Sequence, residues 1–322
     1  MDVSNVTIAQ LCSEWLNMKK LSVKQSTHAK YYSIAQKHIL PELGEIPLVQ
    51  INSAVINDFA ARKLNAGQTD PAEGGEKRES MNPKTVRDIC TILKSVIRYG
   101  EKEYHLNSLV ENTVLPKVKT ASKEVLTARE LKKIEQYLWQ NQETLRCTGL
   151  LVCMYTGMRL GEICALKWDD IDLRHHILHI NHTIQRIKLP GEQGMHKTQL
   201  ILDQPKTVSS ERIIPIPNTV YPLIKNLSAG SRRECYFLTN SEHLIEPRNY
   251  QYFFKRLLET LGIRNVNFHI LRHTFASRCV ETGMDIKTLS EILGHANTSI
   301  TLNYYVHSSL DSKKKQINRL KY

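Results

Sequence analysis

The chain has 322 residues, enough for two ordinary domains, and its 41% apolar and 24% charged residues exclude a disordered polymer. Lys and Arg number 44 against 32 Asp and Glu, a net charge of +12 that makes a polyanion the expected partner. No apolar run reaches the ~18–20 residues of a bilayer span, and the N-terminus lacks the basic start and apolar stretch of a secretory signal. Seven cysteines are scattered singly with no CxxC pair, which argues against a disulfide framework and a cysteine zinc site. These features describe a reduced, soluble, cytoplasmic protein that does not engage membranes. The charge is uneven: residues 1–122 hold 16 basic and 13 acidic side chains, residues 123–322 hold 28 and 19.

In chain order, the first part reads as helices. Thr7 to Leu16 places apolar residues at 3–4 spacing. A second run, Ser26 to Ile39, is expected to stop at Pro41 and Gly44, and a third spans Ser53 to Leu64 with Asn52 or Ser53 as cap. Ala66 to Ser80, containing Gly74-Gly75, reads as a surface loop. Asn82-Pro83 then opens a fourth helix through Val86, Ile89, Leu93 and Val96, ending near Tyr104. Periodicity fades after Val110, and 112–124 is expected to be an interdomain linker.

Beyond the linker, Thr127-x-x-Glu130 is a capping box ahead of an apolar helix. Residues 144–155 read as a buried helix. From Ile177 the period switches to two (Ile177, His179, Asn181), and Gln199 to Pro217 continues in strand-like runs. About three strands are expected there, with Pro190 to Gly194 as an exposed turn. Helical pattern returns from Asn249. The fold class is therefore mainly α with a small β-sheet (α+β).

Four segments offer a cation or proton carrier at an element end. In Gly157-Met-Arg159-Leu-Gly-Glu162, glycine permits a tight turn. Arg159 would add its fork of donors to free backbone N–H groups at a helix start, with Glu162 holding it from behind. Lys206 sits in a turn before a strand that includes Arg212. His269 and Arg272 are three apart, and His269 with His273 has metal-ligand spacing but no nearby acidic third ligand. In the last segment Asp285 caps a helix over Ile286–Leu293, and Gly294 ends it in the left-handed region, throwing His295 outward. Thr298 then caps a helix carrying Tyr304 and Tyr305. Two arginines, a lysine, two histidines and a tyrosine form the set that phosphoryl transfer to a phenol oxygen needs.

In this order, the blocks resemble the tyrosine recombinase (phage integrase) family over essentially the whole chain. GMRLGE is similar to the family's first-arginine block and implies that role for Arg159. PKTVSSERIIPI resembles its K-T-x-x-S-x-R strand motif and implies a catalytic lysine at Lys206. HILRH is similar to H-x-x-R, giving His269 and Arg272, and LGH gives His295. TLNYYVH resembles T-L-x-x-Y-x-H and implies Tyr305 as nucleophile, with Tyr304 as the alternative, because the distance from histidine to tyrosine varies by one residue within the family.

The resemblance implies a helical core-binding domain over 1–111, the linker at 112–124 and a catalytic domain over 125–322 with a C-terminal tail, together forming a clamp on DNA. It also implies cut-and-rejoin chemistry through a 3′-phosphotyrosyl link with neither metal nor ATP. The expected assembly is a homotetramer on paired sites in double-stranded DNA, with accessory proteins setting direction. Ser308–Tyr322 is the candidate tail that docks on a neighbour, and natural absence of an arm-site domain is expected ahead of the first helix. The rival readings are a type IB topoisomerase and a DNA-binding regulator with an idle catalytic set. If lysines and arginines displace counterions from the duplex, affinity should fall about 10³-fold or more between ~50 and ~200 mM salt. Fluorescence anisotropy measures this, and a flat response would count against the clamp.

Overall fold

The computed structural model describes residues 5–65, 80–118, 124–189, 198–203, 211–295, 297–305 and 317–318. The chain divides into two compact units, one of residues 1–121 with 187–199, the other of 122–186 with 200–322.

The first unit is built on helices α1 (Ile8–Ser22), α2 (Gln25–Ile34), α3 (Leu40–Leu43), α4 (Ser53–Asn65) and α5 (Pro83–Glu103). Thr7 opens α1 with a reciprocal cap: its hydroxyl accepts from the Gln10 N–H at 3.3 Å, and the Gln10 side chain accepts from the Thr7 N–H at 3.0 Å. The run through Ile39 passes the proline expected to end it and stops, as expected, at Gly44, the C-cap after Leu43. Its turns widen into a π-helix over Ala35–Ile39 and continue as α3, carrying Pro41 inside. Proline has no N–H to give and its ring crowds the carbonyl four residues back. A wide turn immediately before it accommodates both defects.

Asn52, not Ser53, caps α4, accepting from the Val55 N–H at 3.0 Å, while the Ser53 hydroxyl donates to the Leu109 carbonyl at 3.3 Å. Helix α5 opens at Asn82, whose side chain accepts from the Lys84 N–H at 2.9 Å. It buries Val86, Ile89, Leu93 and Val96 at helical spacing and packs on α1 and α4. Leu11, Trp15, Ile39 and Phe59 complete that core. Of the expected surface loop, 66–79 lie outside the described residues. Of the expected linker, 113–118 carry no regular structure and 119–123 lie outside the described residues.

Farther along come α6 (Ala128–Gln140), α7 (Leu145–Thr156), α8 (Leu160–Ala165), β1 (Ile171–Asp172), β2 (Ile177–Ile180), β3 (Thr183–Lys188), β4 (Thr198–Asp203) and β5 (Arg212–Pro215). Helices α9 (Tyr221–Ser228), α10 (Pro247–Thr260), α11 (Ile270–Glu281), α12 (Ile286–Leu293) and α13 (Thr298–Tyr305) follow. The stretch expected to hold about three strands carries four, in two sheets: β2 and β5 pair in an antiparallel sheet completed by β1 from before that stretch, and β3 pairs with β4. Residues 190–197, including the expected turn, lie outside the described residues. Period two holds in β2, but the buried positions are Leu178 and Ile180, the alternates of Ile177 and His179. Across from them on β5, Leu178 faces Ile214 and Ile180 faces Arg212, and both β5 residues are buried.

Helix α7 is apolar nearly all round and sits in the core with Leu131, Ile134, Phe254, Leu258 and Leu271. All seven cysteines are buried and free. Among the described residues no helix is long and apolar enough to cross a membrane.

The capping box expected at Thr127 is formed: the Thr127 N–H donates to Glu130 at 2.8 Å and the Glu130 N–H donates to the Thr127 hydroxyl at 3.2 Å. Thr127→Ala should therefore lower stability by about 1 kcal/mol, read as a shift in the urea midpoint of the second unit. An unchanged midpoint would mean that the box contributes nothing.

Candidate active site

The site is assembled from the ends of elements. Helix α7 finishes at Gly157, whose φ of +67° is left-handed and whose N–H returns to the Cys153 carbonyl at 2.9 Å. A Cβ there would lie 2.5 Å from Phe275 Cδ1 and 3.0 Å from Leu293 Cδ2, so geometry and space both require glycine. Two residues on, Arg159 is the N-cap of α8. Glu162 holds it from behind, as expected: Arg159 Nη1 donates to Glu162 Oε1 at 2.7 Å and the Arg159 N–H donates to Oε2 at 2.7 Å. The second bond corrects one expectation. That backbone N–H is already spent on a carboxylate and is not free for a phosphate. Arg159 keeps about a third of its side chain exposed, 34%, against 5% for Glu162.

Arg272 lies in the first turn of α11 and is buried, with 2% exposure. Its guanidinium donates to the Gly157 carbonyl at 3.0 Å and the Leu293 carbonyl at 2.6 Å. His269, the N-cap of the same helix, is exposed, and its ring meets His273 edge-to-face with centroids 4.8 Å apart. Among the described residues no group of three or more His, Cys, Asp or Glu is placed to hold a metal ion.

Helix α12 is capped as expected. Asp285 accepts from the Thr288 N–H at 2.8 Å, and Gly294 ends the helix at φ +64°. His295 is not thrown clear into solvent. It is half-buried, with Nδ1 2.8 Å from the hydroxyl of Thr301, a fully buried residue of α13. Asn297, not Thr298, supplies the cap of α13, accepting from the Ser299 N–H at 2.8 Å. Arg159 reaches the same region, donating to the Gly294 carbonyl at 3.2 Å.

The structure thus gathers Arg159, Arg272 and His295 around the end of α12, with His269 at the start of the helix that carries Arg272. Tyr305 is the last residue of α13, and its side chain, like that of Tyr304, lies outside what is described. Lys206, the loop around it and the tail from 308 fall outside the described residues apart from 317–318.

Two residues without an assigned role emerge. Thr301 fixes the His295 ring. Arg212 forks onto Glu162 at 2.9 and 2.8 Å from the inward face of β5. A charged residue alternating in phase with buried Ile214 was the signal for Arg212, because a lone buried charge is not stable without a partner.

Burial alone would push the Glu162 carboxyl up. The bonds and charge of Arg212, with Arg159 and Arg272, outweigh it and bring the group down to about 2. A carboxyl whose folded value is depressed stabilises the fold above its ordinary value of 4.5, and that contribution is lost as pH falls towards 2. At neutral pH, Glu162→Gln should cost about 3–5 kcal/mol because it strands buried guanidinium. The gap to the unsubstituted chain should narrow from pH 4.5 downward in paired denaturation curves. A constant gap would mean that Glu162 is not held ionised.

The profile of the phage integrase family matches residues 124–311, and that of the phage integrase N-terminal SAM-like domain matches residues 7–64. The tyrosine recombinase XerC-like protein of Caldanaerobacter subterraneus subsp. tengcongensis is 29% identical over 95% of this chain and 81% of its own length. Among solved structures, the Tn1549 transposon integrase in complex with circular intermediate DNA superposes with a TM-score of 0.76 at 22% identity, covering 98% of this chain and 100% of that one. A lambda integrase dimer bound to a core site gives 0.68 at 19% identity, covering 95% and 97%. At those identities the structural likeness speaks for the fold, while the family match covers more than half of the sequence. The chain belongs to the phage integrase family and is a tyrosine recombinase.

Proposed function

We propose that the chain is a site-specific DNA recombinase of the integrase type, with Tyr305 as nucleophile and Arg159, Lys206, His269, Arg272 and His295 as its catalytic set. The observation that carries this reading is the meeting of two guanidiniums and a histidine at one helix end. Arg159 bonds the residue before His295, and Arg272 bonds the residue before that.

The chemistry follows from charge. A phosphodiester carries one negative charge, and its pentavalent transition state gathers more on the equatorial oxygens. A preorganised donor aimed at such an oxygen commonly contributes ~3 kcal/mol, about 10²-fold. In this reading, Arg159 and Arg272 neutralise that charge. The Tyr305 oxygen attacks phosphorus while the bond to the 5′-oxygen breaks. A phenol titrates near ~10, so a histidine takes its proton, or the cationic setting stabilises the phenolate and water takes it, and Lys206 or a histidine gives one to the leaving 5′-oxygen. The product is a 3′-phosphotyrosyl link and a free 5′-hydroxyl. The hydroxyl of a partner strand then reverses the step. Because the ester bond is exchanged and not hydrolysed, its energy is conserved and ATP has nothing to supply.

Residues 1–111 are assigned to core binding, 112–124 to the linker and 125–322 to catalysis, with both domains contacting the duplex. By resemblance to the family, the working form is a homotetramer on two sites in cytoplasmic DNA, with accessory proteins setting direction.

Incubation with a nicked suicide duplex should give a protein–DNA adduct that survives SDS. Tyr305→Phe should abolish the adduct and preserve binding, whereas an adduct that persists would move the nucleophile to Tyr304. Arg159→Ala should slow cleavage by at least about 10²-fold with little loss of affinity. Two-site recombination without efficient plasmid relaxation supports a recombinase; relaxation alone would assign a topoisomerase. No adduct from the unsubstituted chain would leave only a DNA-binding protein.

A further inference from the structure

A helix leaves its last carbonyls without intrahelical donors, and the end of α12 settles this in an uncommon way. The N–H of Gly294 returns to the Glu291 carbonyl and that of His295 to the Ser290 carbonyl, each at 3.0 Å. The next three carbonyls in sequence each receive a different arginine. Arg212 Nε donates to Ile292 at 2.6 Å, Arg272 to Leu293 at 2.6 Å and Arg159 to Gly294 at 3.2 Å. Three cations from three elements meet the negative end of one helix, where its dipole favours them.

Two of the three belong to the catalytic set. The third, Arg212, lies outside that set and is buried, its side chain 5% exposed. It nonetheless touches both halves of the site. Its fork grips both oxygens of Glu162, the carboxylate that holds Arg159, and its Nε grips the carbonyl three residues before His295.

We propose that Arg212 is a positioning residue for strand cleavage, fixing Arg159 and His295 relative to one another by tying Glu162 to the end of α12. The proposal rests on the reaction assigned above. Lysine cannot replace it, because a single ammonium lacks the planar fork that spans a carboxylate while also meeting a carbonyl on another element. A misplacement of ~1 Å at a positioned centre costs about 10²-fold in rate.

The test compares Arg212→Lys with the unsubstituted chain on two suicide duplexes. One carries the ordinary phosphate at the scissile position, the other a neutral methylphosphonate, and cleavage is read under single-turnover conditions as release of the 5′-hydroxyl fragment. A methylphosphonate has no non-bridging charge to neutralise, so a displaced Arg159 matters less there. On phosphate, the variant should cleave about 10²-fold more slowly with DNA affinity retained, and on methylphosphonate the deficit should shrink severalfold. An equal deficit on both linkages, or a deficit that follows lost affinity, overturns the proposal and makes Arg212 merely structural.

If thermal melting shows that the lysine variant does not fold, Arg212→Gln, which leaves the Glu162 carboxylate on Arg159, is read on the same two duplexes. A deficit selective for phosphate again supports the proposal; an equal deficit or none overturns it. If the unsubstituted chain releases no fragment from the phosphate duplex, the proposed function itself fails and the positioning role fails with it.

Discussion

A carboxylate in the interior of the second compact unit governs the rest. Removing Glu162 from water carries a penalty of several kcal/mol, and only donors with good geometry offset it. Arg212 supplies a two-pronged bond, and Arg159 supplies one guanidinium bond and one backbone bond. Because the charge is kept, the donors are kept too, and none of them can move without stranding it. An element that carries one of these arginines is therefore tied to the elements that carry the others.

That constraint explains why the site lies at element ends. Gly157 closes α7 and Gly294 closes α12, both in the left-handed region, and each exposes carbonyls that the arginines then take. Arg159 begins α8, and His269 begins α11. Helix bodies buried in the core give these ends fixed places, and the short turns between them bring the side chains to one spot. Thr301 extends the arrangement to α13, joining the histidine that follows Gly294 to the helix that ends at Tyr305.

Local features were legible in the sequence because their causes are local. Asn82, Thr127, Asp285 and Gly294 each act within three or four residues, and each does what its type and spacing imply. The Arg159–Glu162 pair was legible for the same reason. Pro41 was misleading because a π-turn can absorb what a proline forbids in an α-helix. Strand β2 is apolar on both faces (Ile177 as well as Leu178 and Ile180), so alternation alone did not say which face turns inward. The role of Arg212 was hidden by distance along the chain, since its partners lie 50 and 80 residues away. No periodicity connects such positions; only the fold does. The convergence of Arg159, Arg272 and His295 is likewise a tertiary fact, anticipated through the resemblance to a family and not through spacing.

The most direct test of the central claim is a crystal structure of the chain joined covalently to a cleaved duplex. The account predicts that Arg212 remains forked on Glu162 and bonded to the Ile292 carbonyl. It also predicts that Arg159 and Arg272 reach the phosphotyrosyl oxygens while still anchored at the end of α12. An Arg212 turned towards the DNA, or a Glu162 released from its arginines, would contradict it.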